Sequence, residues 1–91
     1  MYTQQTTVVN QTGLHARPAS DFVTEAKKYA SKITIRNLSD DTANAVNAKS
    51  IVRILSEGMG PGTKVEISAE GEDETAAVDG LVALIDSGFG E

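Results

Sequence analysis

The chain has 91 residues, no cysteine, 4% aromatic residues and a formal net charge of −5. These values fit one small domain over residues 1–91, with a core of Val, Ile, Leu and Ala, and they exclude disulfides, thiolate zinc sites and cysteine nucleophiles. The acidic balance argues against general nucleic-acid binding, no apolar run approaches the roughly 20 residues that span a bilayer, and no signal-type segment opens the chain, so a soluble, cytoplasmic protein is expected.

Residues 2–10, YTQQTTVVN, are rich in Thr and Val and predict a first strand ending before Gln11-Thr12-Gly13. From Ala16 to Ala30 the apolar period becomes helical, with Ala19, Phe22, Val23, Ala26, Tyr29 and Ala30 on one face. Pro18 is tolerated only in a first helical turn, which sets the start of this helix within a residue or two of His15. Lys32–Asn37 alternates and predicts a second strand, followed by a turn with Asx chemistry in LSDDTAN. A short third strand is expected around Ala45–Ala48. Residues 50–57 predict a short second helix capped by Ser50 and stopped at Gly58.

KVEISAE places Val65, Ile67 and Ala69 on one side of a last strand. Glu72 or Asp73 then opens a third helix, with Ala77, Val78, Leu81, Leu84 and Ile85 as its apolar face. The order is β-α-β-β-α-β-α. One apolar face per strand suits an α+β fold, a mostly antiparallel sheet covered by helices on one side and wet on the other.

All eight basic residues lie between Arg17 and Lys64, and only acids follow. Such a chain can present a local basic face to an acidic partner.

His15 is the only histidine, and it falls where the loop after the first strand becomes a helix. The first amides of a helix have no internal partners, and the positive end of the dipole points outward. A phosphoryl group captured by the ring would meet free N–H groups there. Arg17 adds a permanent cation whose planar fork suits phosphate oxygens. Gly13 permits a tight turn before the ring, and Thr12 offers a hydroxyl. The stretch holds a nucleophile, an anion cradle and a charge clamp, with no second histidine, no triad and no metal-ligand cluster. Its chemistry is the covalent holding of phosphate rather than its hydrolysis, with no cofactor and no metal. A histidine merely capping a helix beside a surface arginine is the plainer alternative.

The motif GLHARPA, Gly13–Ala19, resembles the active-site motif of the HPr family, the histidine-containing phosphocarriers of the bacterial sugar phosphotransferase system. Chain length, element order, VNAKSI and the closing SGFGE also look like this family. The resemblance implies an open-faced β-sandwich, four antiparallel strands with three helices on one face. It makes His15 the phosphoryl acceptor through Nδ1, with backbone amides from Ala16 and Arg17 and the Arg17 side chain as support. Thr12 stands where the family often has Asn or Ser. A serine at the position of Ser50 is, in Gram-positive members, phosphorylated by an ATP-dependent kinase. Ile51, Val52 and Leu55 match the family's partner-contact surface, with Arg17, Lys27, Lys49 and Arg53 as a basic rim, and Gly58 falls close to the histidine loop. The turn over residues 37–44 is longer than the family pattern.

The expected function is that of a carrier, not an enzyme. His15 accepts a phosphoryl group from phospho-enzyme I and passes it to sugar-specific IIA proteins. A kinase/phosphorylase acting on Ser50 and a catabolite-control transcription factor are further expected partners. A monomer is expected, with no nucleic acid and no membrane insertion. A pure regulator acting through Ser50 is disfavoured by the presence of His15, and a hydrolytic enzyme by the lack of a second acid or base.

Overall fold

The computed structural model describes residues 1–90. Its elements are β1 (Tyr2–Thr7), α1 (Ala16–Ala26), β2 (Lys32–Asn37), β3 (Val46–Asn47), α2 (Ile51–Ser56), β4 (Lys64–Glu70) and α3 (Glu74–Asp86), closed by a 3₁₀ turn at Gly88–Gly90. The four strands form one antiparallel sheet in the order β1-β4-β2-β3. The expected open-faced sandwich is the observed fold. Central β4 pairs Val65 with Thr6 and Asn37, and Ile67 with Gln4 and Ile35. This register puts Val65, Ile67 and Ala69 beside Ile33 and Ile35 on the helix side, all buried. Opposite them lie Ala19, Phe22, Val23 and Ala26 of α1 and Ala77, Val78, Leu81 and Ile85 of α3. Burying a side chain such as Phe22 contributes about 1.5–3 kcal/mol.

Three expectations need correction. The first strand ends at Thr7 rather than residue 10, because β4 begins at Lys64. Beyond it, Val8 bonds to the loop before β4, through its amide to the Thr63 carbonyl and its carbonyl to the Gly62 amide. The inner face of β1 is polar rather than apolar. Tyr2, Gln4 and Thr6 lie half-buried toward α3, where Tyr2 Oη and Gln4 Nε2 donate to Asp79 Oδ1 at 3.0 and 2.9 Å and Thr6 donates to Asp86. Two acids on α3, seven residues apart, satisfy that edge.

The first helix ends at Ala26 rather than Ala30, and Ala30 is exposed. Its continuation is captured by other groups. Asp73 accepts from the Ala30 and Ser31 amides at 2.8 and 2.9 Å and from the Ser31 hydroxyl, while Lys49 Nζ donates to the Tyr29 carbonyl at 2.7 Å. These bonds, the Ser31 hydroxyl foremost, hold the Asp73 carboxyl below the ordinary carboxylate range. Tyr29 packs over Gly80 of α3, where a β-carbon would sit 2.5 Å from the phenol oxygen, and it donates to Glu25 at 3.1 Å. Desolvation, then Glu25, raises the Tyr29 hydroxyl above its usual range. The Lys28 ammonium, bonded to Glu25 at 3.0 Å, lowers that carboxyl.

The turn after β2 has the expected Asx chemistry. Asn37 Oδ1 accepts from Ser39 N, and Asp40 Oδ1 from Thr42 N, each at 2.9 Å. The Thr42 bonds, the side-chain one first, lower the Asp40 carboxyl. Asp73 does stand at the N-cap of α3, but its side chain is spent on residues 30 and 31 and makes no cap bond to its own helix.

Candidate functional site

His15 is the N-cap residue of α1, with extended backbone (φ −130°, ψ 160°) and a half-buried side chain that makes no cap bond. The ring is therefore not consumed in closing the helix end. Ala16 and Arg17 are the first two residues of α1, so their amides have no intrahelical acceptor, and Pro18 has no N–H to offer.

The loop before His15 is held in three ways. The Leu14 amide donates to the Met59 carbonyl at 2.8 Å, and the Leu14 side chain is fully buried. Asn10 Nδ2 donates to the Gly13 carbonyl at 2.9 Å and to Thr12 Oγ1 at 3.2 Å. Gly13 adopts φ +68° against the next loop, where a β-carbon would lie 2.6 Å from both Gly60 Cα and the Met59 oxygen. Only glycine meets both demands. The glycine in closest contact across this junction is thus Gly60, facing Gly13. At Gly58 a β-carbon would meet nothing within 4 Å, and its positive φ of 61° is what suits it to end α2.

Ala16 has φ +53°. A non-glycine residue in the left-handed region costs on the order of 1–3 kcal/mol and persists where the surroundings over-determine it. Leu14 pinned on one side and Pro18 locked on the other provide that constraint. No sequence signal announces it, since alanine carries no preference for positive φ.

Arg17 does not lie folded against its own helix end. Its side chain is 90% exposed and its Nε stands 3.9 Å from Asp21 Oδ2, one turn further along α1. Sequence reasoning did not single out Asp21, although its i,i+4 spacing from Arg17 is a signal for such a pair.

Ser50 caps α2 as expected, its hydroxyl accepting from the Arg53 amide at 3.3 Å. Of the four apolar residues on this short helix, Ile54 is fully buried, while Ile51, Val52 and Leu55 are 38%, 71% and 44% exposed. Arg53 and Lys27 are exposed, but Lys49 is half-buried and fastened to the Tyr29 carbonyl, a tether between α2 and the end of α1 rather than an open rim cation. Among the described residues no cluster of His, Cys, Asp or Glu could hold a metal, and no helix is long and apolar enough to cross a membrane.

The fold and site define a class: a small open-faced sandwich that presents one histidine at a helix N-terminus and three exposed apolar residues on its short second helix. A family model described as "PTS HPr component phosphorylation site" matches residues 2–87. The phosphocarrier protein HPr of Haemophilus influenzae is 41% identical over 85 residues, 93% of this chain and 95% of that protein. The multiphosphoryl transfer protein of the same bacterium is 42% identical over 84 residues, which is 92% of this chain but 17% of that longer protein. Among solved structures, HPr-C-His from Thermoanaerobacter tengcongensis is similar at TM-score 0.91 and 46% identity, over 100% of this chain and 98% of that one. HPr from Bacillus anthracis is similar at TM-score 0.85 and 36% identity, over 92% and 95%. The chain belongs to the HPr family.

Proposed function

We propose that the protein is a phosphocarrier of the sugar phosphotransferase system, with His15 as the group that carries phosphate. The observation that bears most weight is the placement of His15 at the N-cap of α1 with its imidazole making no cap bond, where the first helical amides lack intrahelical acceptors. The unprotonated Nδ1 lone pair attacks the donor's phosphorus, a P–N bond forms, and the donor's bond to phosphorus breaks with its electron pair staying on the donor. The new charge then meets the Ala16 and Arg17 amides and comes within reach of the Arg17 guanidinium. Thr12 steadies the loop that presents the ring, through its bond from Asn10.

The donor in this reading is phospho-enzyme I and the acceptors are sugar-specific IIA proteins, with the carrier itself a monomer in the cytoplasm. Ile51, Val52 and Leu55 form the docking patch, with Arg17, Lys27 and Arg53 at its edge. A small apolar centre with a charged rim suits complexes that form and dissociate in turn. The partners supply most of the catalysis, in keeping with the sparse chemistry around His15. The match of this chain to 17% of a longer protein named for multiphosphoryl transfer in H. influenzae is consistent with such a place in a relay.

Ser50 is the regulatory site in this proposal. A phosphate on its hydroxyl would replace a neutral cap by a dianion beside Ile51 and Val52 and so alter docking. The kinase and a catabolite-control transcription factor follow as partners.

The test is incubation with enzyme I and labelled phosphoenolpyruvate, then a chase with a IIA protein. Acid-labile, base-stable label that chases to IIA and is lost in His15→Ala supports the proposal. Absence of label on folded wild-type protein defeats it. For Ser50, label from ATP and an HPr kinase should disappear in Ser50→Ala, and its persistence there would remove this assignment.

A further inference from the structure

Arg17 and Asp21 share one face of α1, one turn apart, with Arg17 Nε 3.9 Å from Asp21 Oδ2. Among the described residues this is the one ion pair Arg17 makes. Both side chains line an open cleft of about 300 Å³ together with Pro18, Phe89 and Gly90, and His15 is not among its described walls. The guanidinium thus rests beside the closing turn of the chain, on the Asp21 side of its own backbone.

We propose that Asp21 is a positioning residue that holds Arg17 over this cleft until His15 carries a phosphoryl group. The inference rests on the phosphocarrier reading above. One guanidinium offers one planar fork, so engagement with Asp21 and engagement with a phosphohistidine compete. The competitors are unequal. Asp21 is a single carboxylate, 44% exposed, holding Arg17 through a long contact. A phosphoryl group brings up to two negative charges and three acceptor oxygens to a helix N-terminus. Exposed ion pairs of this kind are weak and screened, so the phosphoryl group draws Arg17 away, and Asp21 recovers it after transfer. Asp21 thereby lowers the affinity of the carrier for the phosphoryl group, which favours passing it on. A carboxylate this weakly paired shifts the balance by about two- to fivefold.

The test is a phosphoryl exchange. Phosphorylated wild-type protein is mixed with unphosphorylated Asp21→Asn and a catalytic amount of enzyme I. In the exchange one P–N bond breaks on the wild type and one forms on the variant, with no net hydrolysis. The equilibrium constant should be about two to five in favour of Asp21→Asn. In an Arg17→Ala background the same comparison should return a constant of one. Asp21→Glu, which keeps the carboxylate, should return it toward one. A constant of one or below for Asp21→Asn overturns the proposal. So does a preference that survives in Arg17→Ala, since simple repulsion between Asp21 and the phosphate would then account for it. Failure of any chain to accept label from enzyme I refutes the carrier reading instead, so the two failures are distinguishable.

Discussion

Replacing Gly13 by alanine should damage the protein by two separable routes. The first is conformational, because an L-residue at φ +68° costs about 1–2 kcal/mol. The second is steric. The added β-carbon would stand 2.6 Å from Gly60 Cα and the Met59 oxygen, both backbone atoms that no rotamer change can move. Overpacking of this kind costs a further 1–3 kcal/mol or so. Gly58 supplies an internal control, because its φ is +61° but its β-carbon would meet nothing within 4 Å. Gly58→Ala should therefore lose about 1–2 kcal/mol and Gly13→Ala about 2–5 kcal/mol. Urea unfolding followed by circular dichroism measures both, with the midpoint moving and the slope unchanged. In a domain of this size each kcal/mol corresponds to about 4–8 °C in Tm. Equal losses in the two variants would refute the close approach of the histidine loop to residues 59 and 60.

Ala16→Gly should raise stability by about 0.5–1 kcal/mol, because relief of the strain at φ +53° exceeds the extra entropy of glycine in the unfolded chain; a lowered Tm would show that the residue is not left-handed. Asp73 is held below its unfolded value, so its contribution is complete above about pH 4 and is lost as pH falls through the folded value. Stability measured against pH for Asp73→Asn should accordingly fall short of wild type at pH 7 and converge with it in acid, and a gap that widens in acid would contradict this. On α2, Ile54→Ala should cost about 2–5 kcal/mol while Val52→Ala stays within about 0.5 kcal/mol yet weakens the complex with enzyme I. A stable, fully binding Val52→Ala would remove Val52 from the docking patch.

Much of the fold was legible because the period of the apolar residues changes with each element. KVEISAE alternates and is β4, residue for residue. Pro18 marked the start of α1, and Ser50 marked α2 through the chemistry of capping. What escaped was set by distant side chains. Tyr29 and Ala30 continue the helical pattern of α1, but Lys49 and Asp73 take their backbone groups from 20 and 43 residues away. β1 lacks an apolar inner face because Asp79 and Asp86 satisfy its polar side chains, a pairing that local pattern cannot show. At the site, the place of His15 at the N-cap of α1 followed from sequence. The strain at Ala16, the tether of Lys49 and the turn of Arg17 toward Asp21 did not, because each depends on where a neighbouring element lies.

The central claim is that the ring of His15 itself bears the phosphate. The most direct measurement is ¹⁵N and ³¹P NMR of ¹⁵N-histidine-labelled protein after treatment with enzyme I and excess phosphoenolpyruvate. With a single histidine in the chain, both ring ¹⁵N signals belong to His15, and their couplings to the ring C–H protons distinguish Nδ1 from Nε2. The prediction is one new phosphoramidate resonance, with phosphorus coupling on Nδ1 and none on Nε2, and loss of that resonance in His15→Ala. Coupling to Nε2, or phosphate that remains on the His15→Ala protein, would contradict it.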